Sequence, residues 1–129
     1  LPRDLHKVPF ALQAVRWAQK ARTPVLGICF GMQLLAHMLG GKVSPRQDDS
    51  PVAYLARDRF IQDPVYFNHK DSVVVMPPRC HGQCIPSLAP AFAHLVGEGV
   101  LGLQWHPEGT DHGKKWLIRY LTDYHTKNR

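Results

Sequence analysis

Disulfide frameworks need more cysteine than this sequence has. Its three cysteines, Cys29, Cys80 and Cys84, are few and odd in number. A reducing compartment is the simpler expectation, and with it a cytoplasmic location. No apolar run approaches the roughly 18 residues that a membrane span needs. Nor does the opening Leu1-Pro2-Arg3-Asp4 lead into the apolar stretch of a secretory signal. An initiator methionine is also lacking, which suggests a chain that begins mid-protein or was trimmed. Repeats and low-complexity tracts are absent. Lys and Arg total 16 against 10 Asp and Glu, a net charge of +6. Yet the cations are scattered, no run exceeds two, and no aromatic pattern interleaves them. They are a solvated surface and not a nucleic-acid face. What remains is ordinary globular composition, 44 % hydrophobic and 20 % charged, which excludes intrinsic disorder. The 129 residues are one domain's worth.

Hydrophobic periodicity predicts a helix over residues 8–22, with Phe10, Ala14, Trp17, Ala18 and Ala21 on its apolar face. Thr23-Pro24 stops it. Val25–Ile28 is a short apolar run expected as a buried strand of a parallel sheet. A second helix is expected over residues 30–39, with Met32, Leu35, Ala36 and Leu39 on one side, ended by Gly40-Gly41. This succession is an α/β signature. Residues 44–51 are polar and turn-rich, an expected exposed loop. Val65–Phe67 and Ser72–Met76 are expected strands around Asn68-His69-Lys70-Asp71. Ala91–Val96 and Val100–Trp105 are expected to pair through the hairpin signal Gly97-Glu98-Gly99. A terminal helix over 113–124 places Trp116, Leu117, Tyr120, Leu121 and Tyr124 on one face. Trp17 and Trp116 suit helix–sheet packing.

The sharpest chemical signal is Gly27-Ile28-Cys29-Phe30-Gly31. A nucleophile on a tight strand-to-helix turn needs small neighbours two residues to either side. The turn lifts the thiol above the sheet edge and aims the amide of Phe30 at a reacting carbonyl, as one oxyanion donor. At a helix N-terminus the dipole favours thiolate. Taken alone, Cys29 is equally well a small buried hydrophobe. A base is offered by Gln104-Trp105-His106-Pro107-Glu108, after a strand. In extended backbone His106 and Glu108 leave on the same side. Glu108 then orients the imidazole as the carboxylate of a triad does. Cys80-His81-Gly82-Gln83-Cys84 has no second ligand pair at zinc spacing, so no metal is expected.

Together the two motifs resemble the class I glutamine amidotransferases. Pro24 to Ala36 resembles the family's nucleophile segment, and Gly102 to Gly109 its histidine–glutamate segment. Asn68-His69-Lys70-Asp71-Ser72-Val73 resembles the His-x-Asp-x-Val segment of the GMP-synthetase-like branch. The resemblance runs from about residue 9 to the end. It implies a flavodoxin-like α/β sandwich of three layers with a mostly parallel central sheet. It implies hydrolysis of the side-chain amide of L-glutamine, with Cys29, His106 and Glu108 as triad. A γ-glutamyl thioester forms on Cys29, and ammonia passes to a synthase domain or subunit. Gly31, Gln33, Asn68 and His69 would meet the substrate, the last two largely through backbone. No metal or organic cofactor is needed for this half-reaction.

The sequence departs from the family in one respect that matters. The family's first strands, and a Pro-Gly-rich loop giving the second oxyanion donor, lie before the equivalent of Leu1. No glycine precedes Gly27 here. The expectation is a single glutaminase domain over residues 1–129, incomplete at its N-terminus. The segment between Val43 and Val65 is also short for the family. Two other readings stay open: a γ-glutamyl hydrolase on the same scaffold, decided by the loops between residues 43 and 90, and a non-catalytic relative that keeps the triad residues.

Overall fold

Pro9 opens the first helix of the computed structural model, which describes residues 8–46, 49–59 and 61–127. Helix α1, Pro9–Lys20, ends where the Thr23 amide donates to the Ala18 carbonyl (2.8 Å) and Arg22 adopts a left-handed φ of 57°. The buried line of α1 differs from the expected one. Phe10 and Trp17 are 83 % and 67 % exposed, and Ala14 and Ala21 are exposed as well. Of the expected line Ala18 alone is buried, and Leu12, Val15 and Gln19 turn inward beside it. These lie one step around the helix, and Val15 packs beside Met32 and Leu35.

Strand β1, Val25–Ile28, leads into α2, Phe30–Met38. Strand β2 is Lys42–Pro45, β3 Ala53–Asp58, β4 Ile61–Asn68 and β5 Asp71–Val75. Then come β6, His94–Gly97, β7, Val100–Leu103, and the short β8, Trp105–His106. A single 3₁₀ turn, Pro107–Gly109, precedes α3, Asp111–Lys127. The expected mostly parallel central sheet is not found. β1 and β7 are the one parallel pair among the described residues, and every other pair is antiparallel. The strands form three small sheets, ordered β1-β7-β6, β2-β5 and β3-β4-β8. One of the antiparallel pairs has a local cause. Glu98 and Gly99 both take left-handed φ (54° and 74°), the two-residue turn that folds β6 back on β7.

Strand β3 has no counterpart in the sequence reading, because its sequence alternates weakly. It begins next to the polar segment expected as a loop, of which Gln47 and Asp48 lie outside the described residues. Ser44 and Pro45 of that segment close β2. β4 extends further back than Val65, past Pro64. The ladder irregularity between Ala56 and Asp58 accommodates a residue that cannot donate.

Two clusters form the core. Met32, Leu35 and Ala36 of α2 pack on Val73, Leu95 and Val100. Val65, Phe67, Leu101, Leu103 and Trp105 gather with Ile85, Ala91 and Ala93. A Cβ at Gly102 would sit 2.7 Å from Met32 Cγ, so glycine there lets α2 lie close on β7. Val25, Leu26 and Ile28 are only half-buried, because among the described residues β1 has a strand neighbour on one side alone. On α3, Trp116 meets Trp105 edge-on (5.3 Å) and stacks on Tyr120 (5.4 Å). Leu117 is half-buried and Leu121 exposed; the side chain of Tyr124 lies outside the described residues. No described helix is long and apolar enough to cross a membrane.

Beneath this core lies a buried polar knot. Asp58 accepts from His94 Nδ1 at 2.7 Å and from the Trp105 indole N–H at 2.6 Å. All three residues are buried. Deleting the carboxylate would strand two buried donors, each worth about 1–3 kcal/mol. Asp58→Ala is therefore expected to lower stability by about 3 kcal/mol, seen as a fall in the urea midpoint with an unchanged slope.

Candidate active site

Cys29 joins β1 to α2 with φ 54° and ψ −103°. Such a left-handed backbone on a residue with a Cβ costs of order 1–3 kcal/mol and clusters at functional positions. Its amide is pinned to the Leu103 carbonyl (2.6 Å), and its carbonyl accepts from Gln33 N (3.2 Å). The turn is as sharp as the sequence implies, but the two glycines are not equivalent. A Cβ on Gly27 would lie 2.7 Å from the carbonyl group of Gly31 and from Leu35 Cδ1. A Cβ on Gly31 would meet nothing within 4 Å.

The thiol is half-buried. It donates to the Asn68 carbonyl at 3.3 Å and accepts from Gln104 Nε2 at 3.6 Å. The Phe30 amide also bears on the sulfur. The thiol's pKa is raised and not lowered as the helix dipole suggests. Burial pushes it up most; the Phe30 amide and Gln104 amide pull it down, and the Glu108 charge pushes it up again. Desolvation of a thiolate outweighs a helix terminus here.

His106 and Glu108 form the expected pair by an unexpected route. The strand starting at Val100 stops at Leu103. Gln104 turns away, its amide donating to the Ala93 carbonyl (2.9 Å), and Trp105–His106 joins another sheet. There His106 faces Tyr66 across an antiparallel ladder, with their rings 6.0 Å apart. Glu108 lies in the 3₁₀ turn and not in extended backbone. The turn brings its Oε1 to 2.6 Å from His106 Nδ1. A carboxylate can only accept, so Nδ1 carries a proton, and in the neutral ring the lone pair is therefore on Nε2. Among the described residues no hydrogen bond joins that ring to the Cys29 sulfur. Glu108 nevertheless lies near enough for its charge to act on Cys29.

The profile of the glutamine amidotransferase class-I family matches residues 2–123. The chain belongs to this family. It is 37 % identical over 129 aligned positions to the GMP synthase [glutamine-hydrolyzing] of Thermomicrobium roseum, covering 89 % of this chain and 24 % of that protein. It is 31 % identical to a separate GMP synthase [glutamine-hydrolyzing] subunit from Haloarcula marismortui, covering 77 % of this chain and 59 % of that subunit. The chain thus spans about a quarter of the length of the full GMP synthase and under two thirds of the separate subunit. Among solved structures it superposes on a glutamine amidotransferase from Thermotoga maritima with a TM-score of 0.67, at 25 % identity, over 95 % of this chain and 58 % of that one.

For this amidotransferase-family chain, the other expected substrate contacts divide. Asn68 is exposed; its carbonyl faces Cys29 and its amide donates to the Tyr66 hydroxyl (3.2 Å). Gln33 and His69 are each only 4 % exposed. His69 Nδ1 donates to the Asp71 carbonyl (2.8 Å), and the Tyr54 hydroxyl donates to Nε2 (2.5 Å), so both ring nitrogens face protein. Gln33 Nε2 donates to the same Asp71 carbonyl (2.9 Å) and to Gln104 Oε1 (3.4 Å). Gln104, Tyr54 and Tyr66 have no place in the sequence reading of the site. Gln104 had a signal, since it stands two residues before His106 inside the same motif. Cys80 is half-buried and Cys84 exposed, apart from this site.

Two outcomes follow from the geometry at the turn. Gly27→Ala is expected to cost about 2 kcal/mol by overpacking against the Gly31 backbone. Gly31→Ala is expected to be neutral or slightly stabilising, as for glycine replaced within a helix; thermal melts of both variants check the contrast. Alkylation of Cys29 by iodoacetamide, followed by peptide mass mapping, is expected to rise with pH through a midpoint above that of free cysteine. The thiolate fraction sets the rate, and burial raises the thiol's pKa.

Proposed function

We propose that this chain hydrolyses the side-chain amide of L-glutamine to glutamate and ammonia. Two half-sites carry the reading, with the Glu108 charge near enough to act on the sulfur. One is a thiol on a left-handed strand-to-helix turn with the next residue's N–H on its sulfur. The other is an imidazole whose tautomer is fixed by Glu108 at 2.6 Å. In this reading Cys29 sulfur attacks the amide carbon while its proton moves to His106 Nε2. The carbonyl oxygen takes up negative charge against the Phe30 N–H. The C–N bond breaks, His106 returns the proton to the departing nitrogen, and ammonia leaves a γ-glutamyl thioester. Water then attacks, giving one proton to Nε2; the C–S bond breaks, the thiol regains the proton, and glutamate is free. Ammonia goes to a synthase domain or subunit. The names of the relatives favour an acceptor of the GMP synthase kind.

The test is intact-mass and peptide mapping after exposure to a chloroketone analogue of glutamine. One adduct per chain on Cys29, blocked by excess glutamine, is expected. Equal labelling of Cys80 and Cys84 would sink the reading. Where turnover is measurable, Cys29→Ala is expected to abolish ammonia release from glutamine. His106→Ala is expected to lower it by ~100- to 10,000-fold, the span of general acid–base catalysis. Amine release from γ-glutamyl amines without ammonia from glutamine would favour the hydrolase instead. The open space over Gly31 gives a separate check on substrate placement. Gly31→Ala is expected to raise KM for glutamine without lowering the melting temperature.

A further inference from the structure

We propose that Gln104 is a positioning residue that holds an N–H donor on the Cys29 sulfur, and that Gln33 fixes which end of the Gln104 amide faces that sulfur. The orientation follows from one group that can only accept. The Asp71 carbonyl takes two hydrogen bonds, from His69 Nδ1 (2.8 Å) and Gln33 Nε2 (2.9 Å). Because a carbonyl cannot donate, the end of the Gln33 amide beside it must be the nitrogen. The second hydrogen of that nitrogen is then available to Gln104 Oε1, at 3.4 Å. With its oxygen turned to Gln33, Gln104 presents Nε2 to Cys29 Sγ, at 3.6 Å. A flipped Gln104 would set an oxygen lone pair against the sulfur and would lose the bond to Gln33. The order of hydrogen bonds thus runs from a backbone carbonyl, through two amides, to the nucleophile.

Burial makes this arrangement matter. Gln104 is 0 % exposed and Gln33 4 % exposed. Cut off from water, the two amides keep the partners they have, and a donor to an ionised acceptor counts for more than one to a neutral group. The groups that face the sulfur from neighbouring elements are few. The Phe30 N–H on α2 and the Gln104 amide after β7 favour the thiolate; Glu108 on the 3₁₀ turn, with His106 bonded to it, contributes an opposing charge. The Asn68 carbonyl accepts the thiol proton and favours the neutral form. Gln104 is the side-chain donor in this set. The role assigned to Gln33 is therefore exerted through Gln104 and not by touching the sulfur.

This inference rests on Cys29 being the nucleophile of the proposed hydrolysis, but its test does not use turnover. The rate of iodoacetamide addition to Cys29 is followed against pH, by peptide mass mapping, in the full chain. Gln104→Met and Gln33→Met keep approximate volume and remove the amides. Gln104→Met is expected to move the midpoint upward by about one pH unit, the scale of one hydrogen bond to a charged group. Gln33→Met is expected to move it upward by less. The double variant is expected to match Gln104→Met alone, because Gln33 has nothing left to orient. A purely structural role for Gln33 gives additive shifts, and additive shifts would overturn the relay. An unchanged midpoint in Gln104→Met would overturn the donor role itself. If Gln104→Met does not fold, Gln33→Met decides: an unmoved midpoint overturns the inference. Loss of glutaminase activity with these shifts intact would count against the proposed hydrolysis and leave the relay standing.

Discussion

The backbone of Cys29 is the constraint on which the site depends. Its left-handed φ forces the chain to change direction within one residue, from β1 to α2. That is costly, and it holds only if neighbours over-determine it. They do so through the Leu103 carbonyl on the Cys29 amide and through the parallel register of β1 on β7. Gly27 then brings the backbone of Gly31 to a distance no side chain would allow. The same closeness sets the angle of α2. Met32 can lie on Gly102, so the helix that begins at the thiol is also the one that closes the core cluster with Val73, Leu95 and Val100. Strain at Cys29 and packing of the core are therefore one problem with one solution.

What the turn delivers is a thiol in an awkward electrostatic place. Half-burial raises its pKa, and the helix terminus does not reverse this. A resting thiol is compatible with an attack that needs thiolate only if a base is present at the moment of reaction. His106 suits that task because Glu108 holds the Nδ1 proton and leaves Nε2 free. The negative charge that orients the base also opposes ionisation of the sulfur. Donors on the sulfur offset that opposition, which gives the Phe30 amide and the buried Gln104 amide their importance.

The sequence made chemistry more legible than architecture. The elbow could be read because a strand-ending apolar run, a cysteine and two flanking glycines are local features. The hairpin at Gly97-Glu98-Gly99 was legible for the same reason, since its turn conformation is written in two residues. The apolar line of α1 was misplaced because Phe10 and Trp17 satisfy helical spacing equally well facing outward; only tertiary contacts decide which line is covered. A mostly parallel sheet is what the family resemblance implies, and the α/β pattern of β1 and α2 agrees with it. Strand pairing is non-local, and the pairs β2–β5 and β3–β4 leave no mark on that pattern. Gln33 and His69 resemble substrate contacts by position, and the structure adds that their side-chain polar atoms bond to protein. Burial of that kind is not visible in a motif.

The second half-site is held from a distance. His106 belongs to a two-residue strand, too short to fix its own direction. Its neighbour Trp105 is fully buried, pairs with Phe67 in the ladder, and donates its indole N–H to Asp58. Asp58 is itself held by His94, at the start of the β6 strand that pairs with β7. β7 in turn carries the carbonyl that pins Cys29. Cys29, at the end of β1, and the imidazole on β8 thus depend on different sheets, joined through one buried carboxylate and one shared strand. A change in that knot would act on the relative placement of the two half-sites before it touched either reacting group. The polar core under this site is accordingly part of its geometry, although no atom of it faces the thiol.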